Sequence, residues 1–95
     1  MTTKTRTTEV THVDVLLITD GNRKTKATAR VTINDVLQLT GLKVINGADG
    51  LFVAYPLNDD VNRIFYPVDK KLRQHIEKVV LEKYESVKVE LISKL

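Results

Sequence analysis

Few side chains in this sequence could take part in acid–base or metal chemistry, and they are not grouped. The histidines are His12 and His75, and the absence of cysteine excludes disulfides, thiolate chemistry and cysteine-type zinc sites. His12 lies two residues before Asp14, so the two side chains share one face of a predicted strand and can touch. Such pairs are common without catalysis, and His75 lies on a predicted helix without a second metal ligand at a suitable spacing. The histidines therefore predict no catalytic or metal site.

The remaining acidic candidates are Asp59 and Asp60, in a polar loop predicted for residues 57–62. Two adjacent carboxylates lack the alternating ligands of a calcium loop, so we expect them to be solvated. The sequence also lacks a phosphate-binding glycine loop, a nucleophile motif and a dinucleotide fingerprint. These observations predict a protein that is not an enzyme and that uses no cofactor.

Basic side chains form the other candidate site. The formal net charge of +3 is a weak bias, so the distribution of charge matters more than its sum. One basic cluster crowds the first predicted hairpin, and a second lies in the first turn of the predicted helix, where positive charge opposes the helix dipole. Neither cluster contains the interleaved aromatic residues of a base-stacking platform, so we expect contacts with phosphates. The candidate nucleic-acid-binding residues are Arg23, Lys24, Lys26, Arg30, Arg63, Lys70, Lys71 and Arg73.

Two alternating stretches, residues 10–19 and 26–33, predict the first pair of antiparallel strands. A turn at Asp20, Gly21 and Asn22 joins them, as in many hairpins. The second stretch should have one buried and one exposed face. In the first strand one face is formed by Val13, Val15 and Leu17, and in the second the residues predicted to face in are Ala27, Ala29, Val31 and Ile33.

Three further strands are predicted after a turn at Asn34 and Asp35. Residues 36–44 predict a third strand that is broken or bulged near Gly41. The continuous apolar run at 51–55 predicts a central strand that is buried on both faces. Residues 63–66 are short enough for an edge strand.

One amphipathic helix is predicted for residues 69–85, with Asp69 as its N-cap. Its apolar stripe must dock on the sheet, which predicts an α+β fold with a twisted antiparallel sheet and a C-terminal helix. The tail at 86–95 has the alternation of a strand and also extends the helical stripe, so periodicity leaves both structures open. The stripe consists of Leu72, Ile76, Val79, Val80 and Tyr84.

The whole chain, 95 residues long, is predicted to form one domain at 9–95 preceded by a flexible arm at 1–8. Its apolar runs are far shorter than the roughly 20 residues that a membrane span needs. The N-terminal residues lack the apolar core of a secretory signal. We therefore expect a cytoplasmic protein without a membrane span.

Three segments resemble the SpoVG (stage V sporulation protein G) family and together span roughly residues 9–85. The first comprises Val10, Thr11, His12 and Val13. The second and most specific comprises Val44, Ile45, Asn46 and Gly47, followed by Gly50, Leu51, Phe52, Val53, Ala54, Tyr55 and Pro56. The third comprises Pro67, Val68, Arg73, Ile76, Val80 and Tyr84. The sequence departs from the family pattern in its shorter loop at 57–62, which carries no basic residue, and at Asp14, Tyr55 and Tyr66.

The resemblance implies a homodimeric bacterial regulator linked to septation, sporulation and gene expression that binds DNA or RNA without catalysis. Because the loop at 57–62 lacks basic residues, affinity would have to come from the two basic clusters, and weak binding with little sequence preference is expected. The alternative is a non-enzymatic interaction module in cell-division control, whose sheet edge and helix serve division-related proteins without nucleic acid.

Overall fold

An antiparallel sheet followed by one long helix makes up the part of the chain that the structure describes. A computed structural model describes residues 8–18, 24–57, 60 and 64–93. The four strands are neighbours in the order of the sequence, and the helix contacts all of them. This arrangement confirms the predicted α+β fold. The elements are β1 (Val10–Leu17), β2 (Thr25–Ile33), β3 (Leu37–Gly47), β4 (Gly50–Ala54) and α1 (Lys70–Ser93).

The alternation predicted for the first two strands is confirmed. On β2, every second side chain is buried beneath the helix, and the side chains between them point to the opposite face. On β1, Val13, Val15 and Leu17 pack against the same core, whereas Leu16 is 73% exposed on the other face. One helix-covered layer therefore forms the core. Its buried sheet residues are Ala27, Ala29, Val31, Ile33, Leu42, Val44 and Val53.

The turn predicted at Asn34 and Asp35 joins β2 to β3. Both residues have positive φ, 51° and 56°, and the Val36 N–H donates to the Ile33 carbonyl at 2.9 Å. Two consecutive positive φ values closed by this hydrogen bond define a type I′ turn, whose twist matches that of antiparallel strands. Asparagine and aspartate tolerate this conformation better than most residues, so the local sequence sets the register of β2 against β3.

The irregularity predicted near Gly41 is a β-bulge. Ala29 pairs with Leu42 and Val31 with Leu39, so β3 carries one residue more than β2 between these pairs. Gly41 has a φ of 81°, which a side chain would make costly. The bulge restores the inward direction of Leu42, which is fully buried.

The prediction of a central strand buried on both faces at 51–55 is wrong. Among the described strands β4 pairs only with β3, so it lies at an edge of the sheet. Val53 is buried beneath the helix, whereas Phe52 is 42% exposed on the opposite face. The apolar run was misleading because alternation places Phe52 and Ala54 on the face that no helix covers.

The edge strand predicted at 63–66 is also wrong for the part that the structure describes. Residues 64–66 form no strand, and the Ile64 N–H instead donates to the Pro56 carbonyl at 3.0 Å. Pro56 ends the preceding segment because it cannot donate to a ladder. Arg63 lies outside the described residues, as do most of the loop at 57–62, the turn at 20–22 and residues 1–7 of the predicted arm.

The helix is longer than predicted. Asp69 directly precedes it, and its carbonyl accepts a hydrogen bond from the Arg73 N–H at 3.0 Å, as expected at an N-cap. Ile76, Val80 and Tyr84 are buried, which confirms the predicted stripe. Residues 86–93 continue as helix, which decides between the two structures left open for the tail. No helix in the described ranges is long and apolar enough to cross a membrane.

The helix stripe gives a direct test of this packing. Replacing the fully buried Ile76 by Asp would bury an unpaired carboxylate or expel the helix, so we expect the free energy of unfolding to fall by at least about 3 kcal/mol. Urea unfolding followed by circular dichroism measures this. Ser86→Asp adds the same charge at an exposed helix position and should change stability little. An Ile76→Asp protein as stable as the Ser86→Asp control would show that α1 does not dock as described.

Candidate nucleic-acid interface

The sheet face turned away from α1, here called the outer face, carries the first basic cluster. Because Ala27, Ala29 and Val31 are buried beneath the helix, Lys26 and Arg30 on β2 point to the outer face. The structure thus brings together two of the residues that the sequence analysis selected. Thr28 lies between them on the same face.

Lys43 on β3 joins this cluster, and the sequence analysis missed it. Leu42 and Val44 are buried, so Lys43 between them is directed outward, and it pairs with Thr28 of β2. It therefore lies beside the strand that carries Lys26 and Arg30. The alternation around Lys43 could have revealed its direction, but the strand pairing was needed to place it beside β2.

Cross-strand pairs also bring apolar side chains to the outer face. Thr25 pairs with Ile45, and Ile45 pairs with Phe52 across the β3–β4 hairpin. Thr25 pairs with Ile45 and Ala27 pairs with Val44, so β2 has one additional residue, Lys26, between these two pairs and forms a bulge there. Lysine side chains and an exposed aromatic ring therefore share one end of the outer face.

Lys24 lies at the same end of the sheet. It is exposed, and its carbonyl accepts a hydrogen bond from the Asn46 N–H at 2.8 Å. This bond attaches the start of β2 to the β3–β4 hairpin. Arg23, predicted to belong to the same cluster, lies outside the described residues.

Arg30 is partly neutralised by Asp14 on β1. Its Nη2 donates to Asp14 Oδ2 at 3.1 Å, and His12 Nε2 donates to Asp14 Oδ1, also at 3.1 Å. Desolvation raises the pKa of Asp14, but the electrostatic attraction of His12 and Arg30, with their hydrogen bonds, lowers it overall below its ordinary value. The expected contact between His12 and Asp14 is present, and it makes Asp14 a carboxylate that competes with any phosphate for Arg30.

The second basic cluster does not meet the first. Lys70 and Lys71 are exposed at the start of α1, in the helix layer on the other side of the sheet. Arg73 is engaged within the protein, because its guanidinium lies 4.8 Å from the centre of the Tyr66 ring and its Nη1 donates to the Tyr66 hydroxyl. The two basic clusters therefore lie on opposite sides of the sheet.

An open cavity of about 420 Å³ lies beside the Arg73 contact, at the β4 edge. The Tyr55 hydroxyl and the Arg73 Nε are buried there without a hydrogen-bond partner among the described residues. The Tyr55 ring packs edge-on against Phe65 and Tyr66, with ring centres 6.1 and 5.4 Å apart. Burial, with smaller contributions from Tyr66 and Glu77, raises the pKa of Tyr55 to about 12, so its hydroxyl is neutral near pH 7.

This pKa predicts how stability changes at alkaline pH. A raised folded pKa means that the folded state binds the Tyr55 proton more tightly than the unfolded state, so this contribution is complete below about pH 10 and is lost as pH rises toward 12. In a spectrophotometric titration, Tyr55 should therefore ionise in a late step, near pH 12. Tyr55→Phe should remove that late step. A titration in which Tyr55→Phe instead removes a step near pH 10 would contradict the burial of this hydroxyl.

Among the described side chains, the chemistry best represented is the electrostatic binding of anions by lysine and arginine. No group of three or more histidine, aspartate or glutamate side chains in these ranges could hold a metal ion. His75 is exposed on α1. Lysine ammonium groups and an exposed ring on an open sheet face can contact phosphates and flat apolar groups.

The fold defines a class of small α+β proteins in which one helix covers one face of an antiparallel sheet and the other face stays open. Comparison with known proteins gives the family of the chain. The SpoVG family model matches residues 8–86, and the chain belongs to this family.

Several bacterial relatives share most of the chain's length, and each is named "Putative septation protein SpoVG". The relative from Desulforudis audaxviator is 37% identical over 81% of this chain and 91% of its own. The one from Fusobacterium nucleatum is 38% identical over 80% and 87%, respectively. The one from Treponema denticola is 34% identical over 85% and 90%.

Proposed function

We propose that the protein is a non-enzymatic regulator linked to septation and sporulation that acts as a homodimer and binds DNA or RNA weakly through backbone contacts. The link to septation comes from the family and from the names of its relatives. The observation that carries the binding proposal is the outer face, where Lys26 and Lys43 from neighbouring strands converge.

Charge on this face sets the expected strength of binding. Asp14 is the only acidic residue that alternation places on the outer face of the described strands, and it already contacts Arg30. Lys24, Lys26 and Lys43 remain for phosphates, so about three phosphates would be engaged per protomer. Contacts of this number release few counterions, which gives micromolar or weaker affinity and strong salt dependence.

Replacing Lys26 and Lys43 together by Ala tests the interface. We expect affinity for duplex DNA at low salt to fall about tenfold or more, because two phosphate contacts are lost. The slope of log affinity against log salt should become shallower by about 1.8. Mobility-shift or fluorescence anisotropy titrations at several salt concentrations measure both quantities.

The matched control is the double replacement of Lys78 and Lys83, which removes the same charge from exposed positions on α1. It should reduce affinity much less, since these side chains lie in the helix layer. Equal losses in the two double variants would reject the outer face as the interface. No binding by the parent protein at tens of micromolar and low salt would reject the nucleic-acid function altogether.

The Asp14→Asn variant tests the same interface in the opposite direction, because it should strengthen binding. It removes the carboxylate that occupies Arg30, so affinity should rise about three- to tenfold at low salt and the salt slope should steepen. Asp35→Asn removes an equal charge from the β2–β3 turn and serves as the control. An increase with Asp35→Asn as large as that with Asp14→Asn would show a general effect of net charge.

The helix end supports the dimer. The 24 residues of α1 span roughly 36 Å, and the buried residues of the helix, Ile76, Val80 and Tyr84, all lie before its last two turns. At the C-terminal end, Val89 and Ile92 are 62% and 58% exposed, and Leu91 is also exposed. Exposed apolar side chains grouped at one helix end offer an association surface for a second copy.

Size-exclusion chromatography with light scattering tests the dimer at micromolar concentration. The parent should show about twice the 10.8 kDa chain mass, and a double Val89→Ser and Ile92→Ser variant should shift toward the monomer. Leu16→Ser removes an exposed apolar side chain from β1 and should leave the mass unchanged. A parent protein with the monomer mass would contradict the proposal.

The same apolar helix end favours a second candidate function, an interaction module for division-related proteins. It would apply if the parent protein binds no nucleic acid while the Val89 and Ile92 surface still drives association. The salt titrations and the mass measurements together distinguish the two functions.

A further inference from the structure

The end of the outer face that carries Lys26 and Lys43 also carries an exposed aromatic ring, that of Phe52. Phe52 is 42% exposed and pairs with Ile45, which in turn pairs with Thr25. Lys26 belongs to the same row of the sheet, and Lys43 lies two residues from Ile45 on the same face of β3. Ammonium groups therefore lie beside an apolar and aromatic strip.

The Phe52 ring lies over Gly47 in the β3–β4 hairpin. A Cβ atom on Gly47 would lie 2.8 Å from Cε1 of the ring, so the ring occupies the space that a side chain at Gly47 would fill. One side of the ring therefore packs over Gly47, while 42% of the residue stays open to solvent. A ring that already packs on the backbone on one side and is open on the other loses less conformational freedom on stacking than a fully solvated ring would.

We infer that this end of the outer face binds single-stranded DNA or RNA in preference to duplex, with a base stacked on Phe52 and neighbouring phosphates on Lys26 and Lys43. The inference rests on the proposed function and names the form of nucleic acid that this site accepts. A duplex presents its phosphates to such a face but keeps its base faces stacked inside. A single strand offers both, and every base has a face that can stack, so sequence preference is small.

The test compares three labelled probes in fluorescence anisotropy titrations at low salt. They are a 12-nucleotide single strand of mixed sequence, a strand of equal length and charge without bases, and the duplex of the mixed sequence. The parent protein should bind the base-containing strand at least about fivefold more tightly than the abasic strand. It should also prefer the base-containing strand to the duplex.

Variants of the ring separate stacking from charge. Phe52→Leu should abolish the preference for bases and leave affinity for the abasic strand and the duplex unchanged, whereas Phe52→Tyr should retain the preference. Gly47→Ala should weaken it with the ring still present, because the added methyl group displaces the ring. Val68→Ala, at a 90% exposed site before the helix, is the control and should change nothing. Thermal melting of each variant verifies the fold.

The outcomes distinguish this inference from the proposed function. Equal affinity for base-containing and abasic strands, affinity for the duplex at least equal to that for the strand, or a uniform loss with Phe52→Leu would overturn stacking while leaving phosphate binding in place. Failure of the parent to bind any probe would overturn both. Loss of affinity for all three probes after replacement of Lys26 and Lys43, combined with a selective loss after Phe52→Leu, would support both.

Discussion

The whole arrangement depends on one helix that can cover only one face of the sheet. Ile76 and Val80 are fully buried against the sheet, and the inward positions of β2 include small residues, Ala27 and Ala29, that let the helix approach closely. Burial of this layer supplies most of the apolar stabilisation available to a chain of 95 residues. The structure describes no second helix, so the other face presents polar and charged side chains together with exposed apolar ones such as Leu16 and Phe52.

Two local features of the backbone determine what the open face presents. The type I′ turn at Asn34 and Asp35 fixes the register of β2 against β3, and the bulge at Gly41 shifts that register by one residue. A register shift of one residue exchanges the two faces of a strand. Without the bulge, continued alternation from Leu39 would direct Leu42 to the outer face and Lys43 to the core. Positions with no chemistry of their own thus decide where the positive charge lies.

Much of the fold could be predicted because single-strand alternation and helical periodicity are local properties. The inward residues of β2, the bulge at Gly41 and the stripe containing Ile76 all followed from sequence spacing. The errors concern tertiary context: the run at 51–55 has the composition of a central strand but lies at an edge, and nothing local marks Phe52 as the exposed member. For the candidate site, β2 alternation predicted Lys26 and Arg30. Lys43 required the pairing of β3 with β2, and the engagement of Arg73 with Tyr66 required the approach of the helix start to residues 65–66.

Because of Asp14, positive charge is distributed unevenly between the two ends of the outer face, which composition alone does not reveal. Its carboxylate takes hydrogen bonds from His12 and Arg30, so the end of the face formed by these residues is close to neutral. The opposite end keeps Lys26 and Lys43 without a described acid among their neighbours on the face, next to Phe52. An anionic chain would therefore be attracted to one end of the sheet, and Coulomb attraction screened over about 10 Å at ordinary salt would hold it there locally. A small net charge is compatible with a defined binding position, because the position depends on how charges are distributed over the strands.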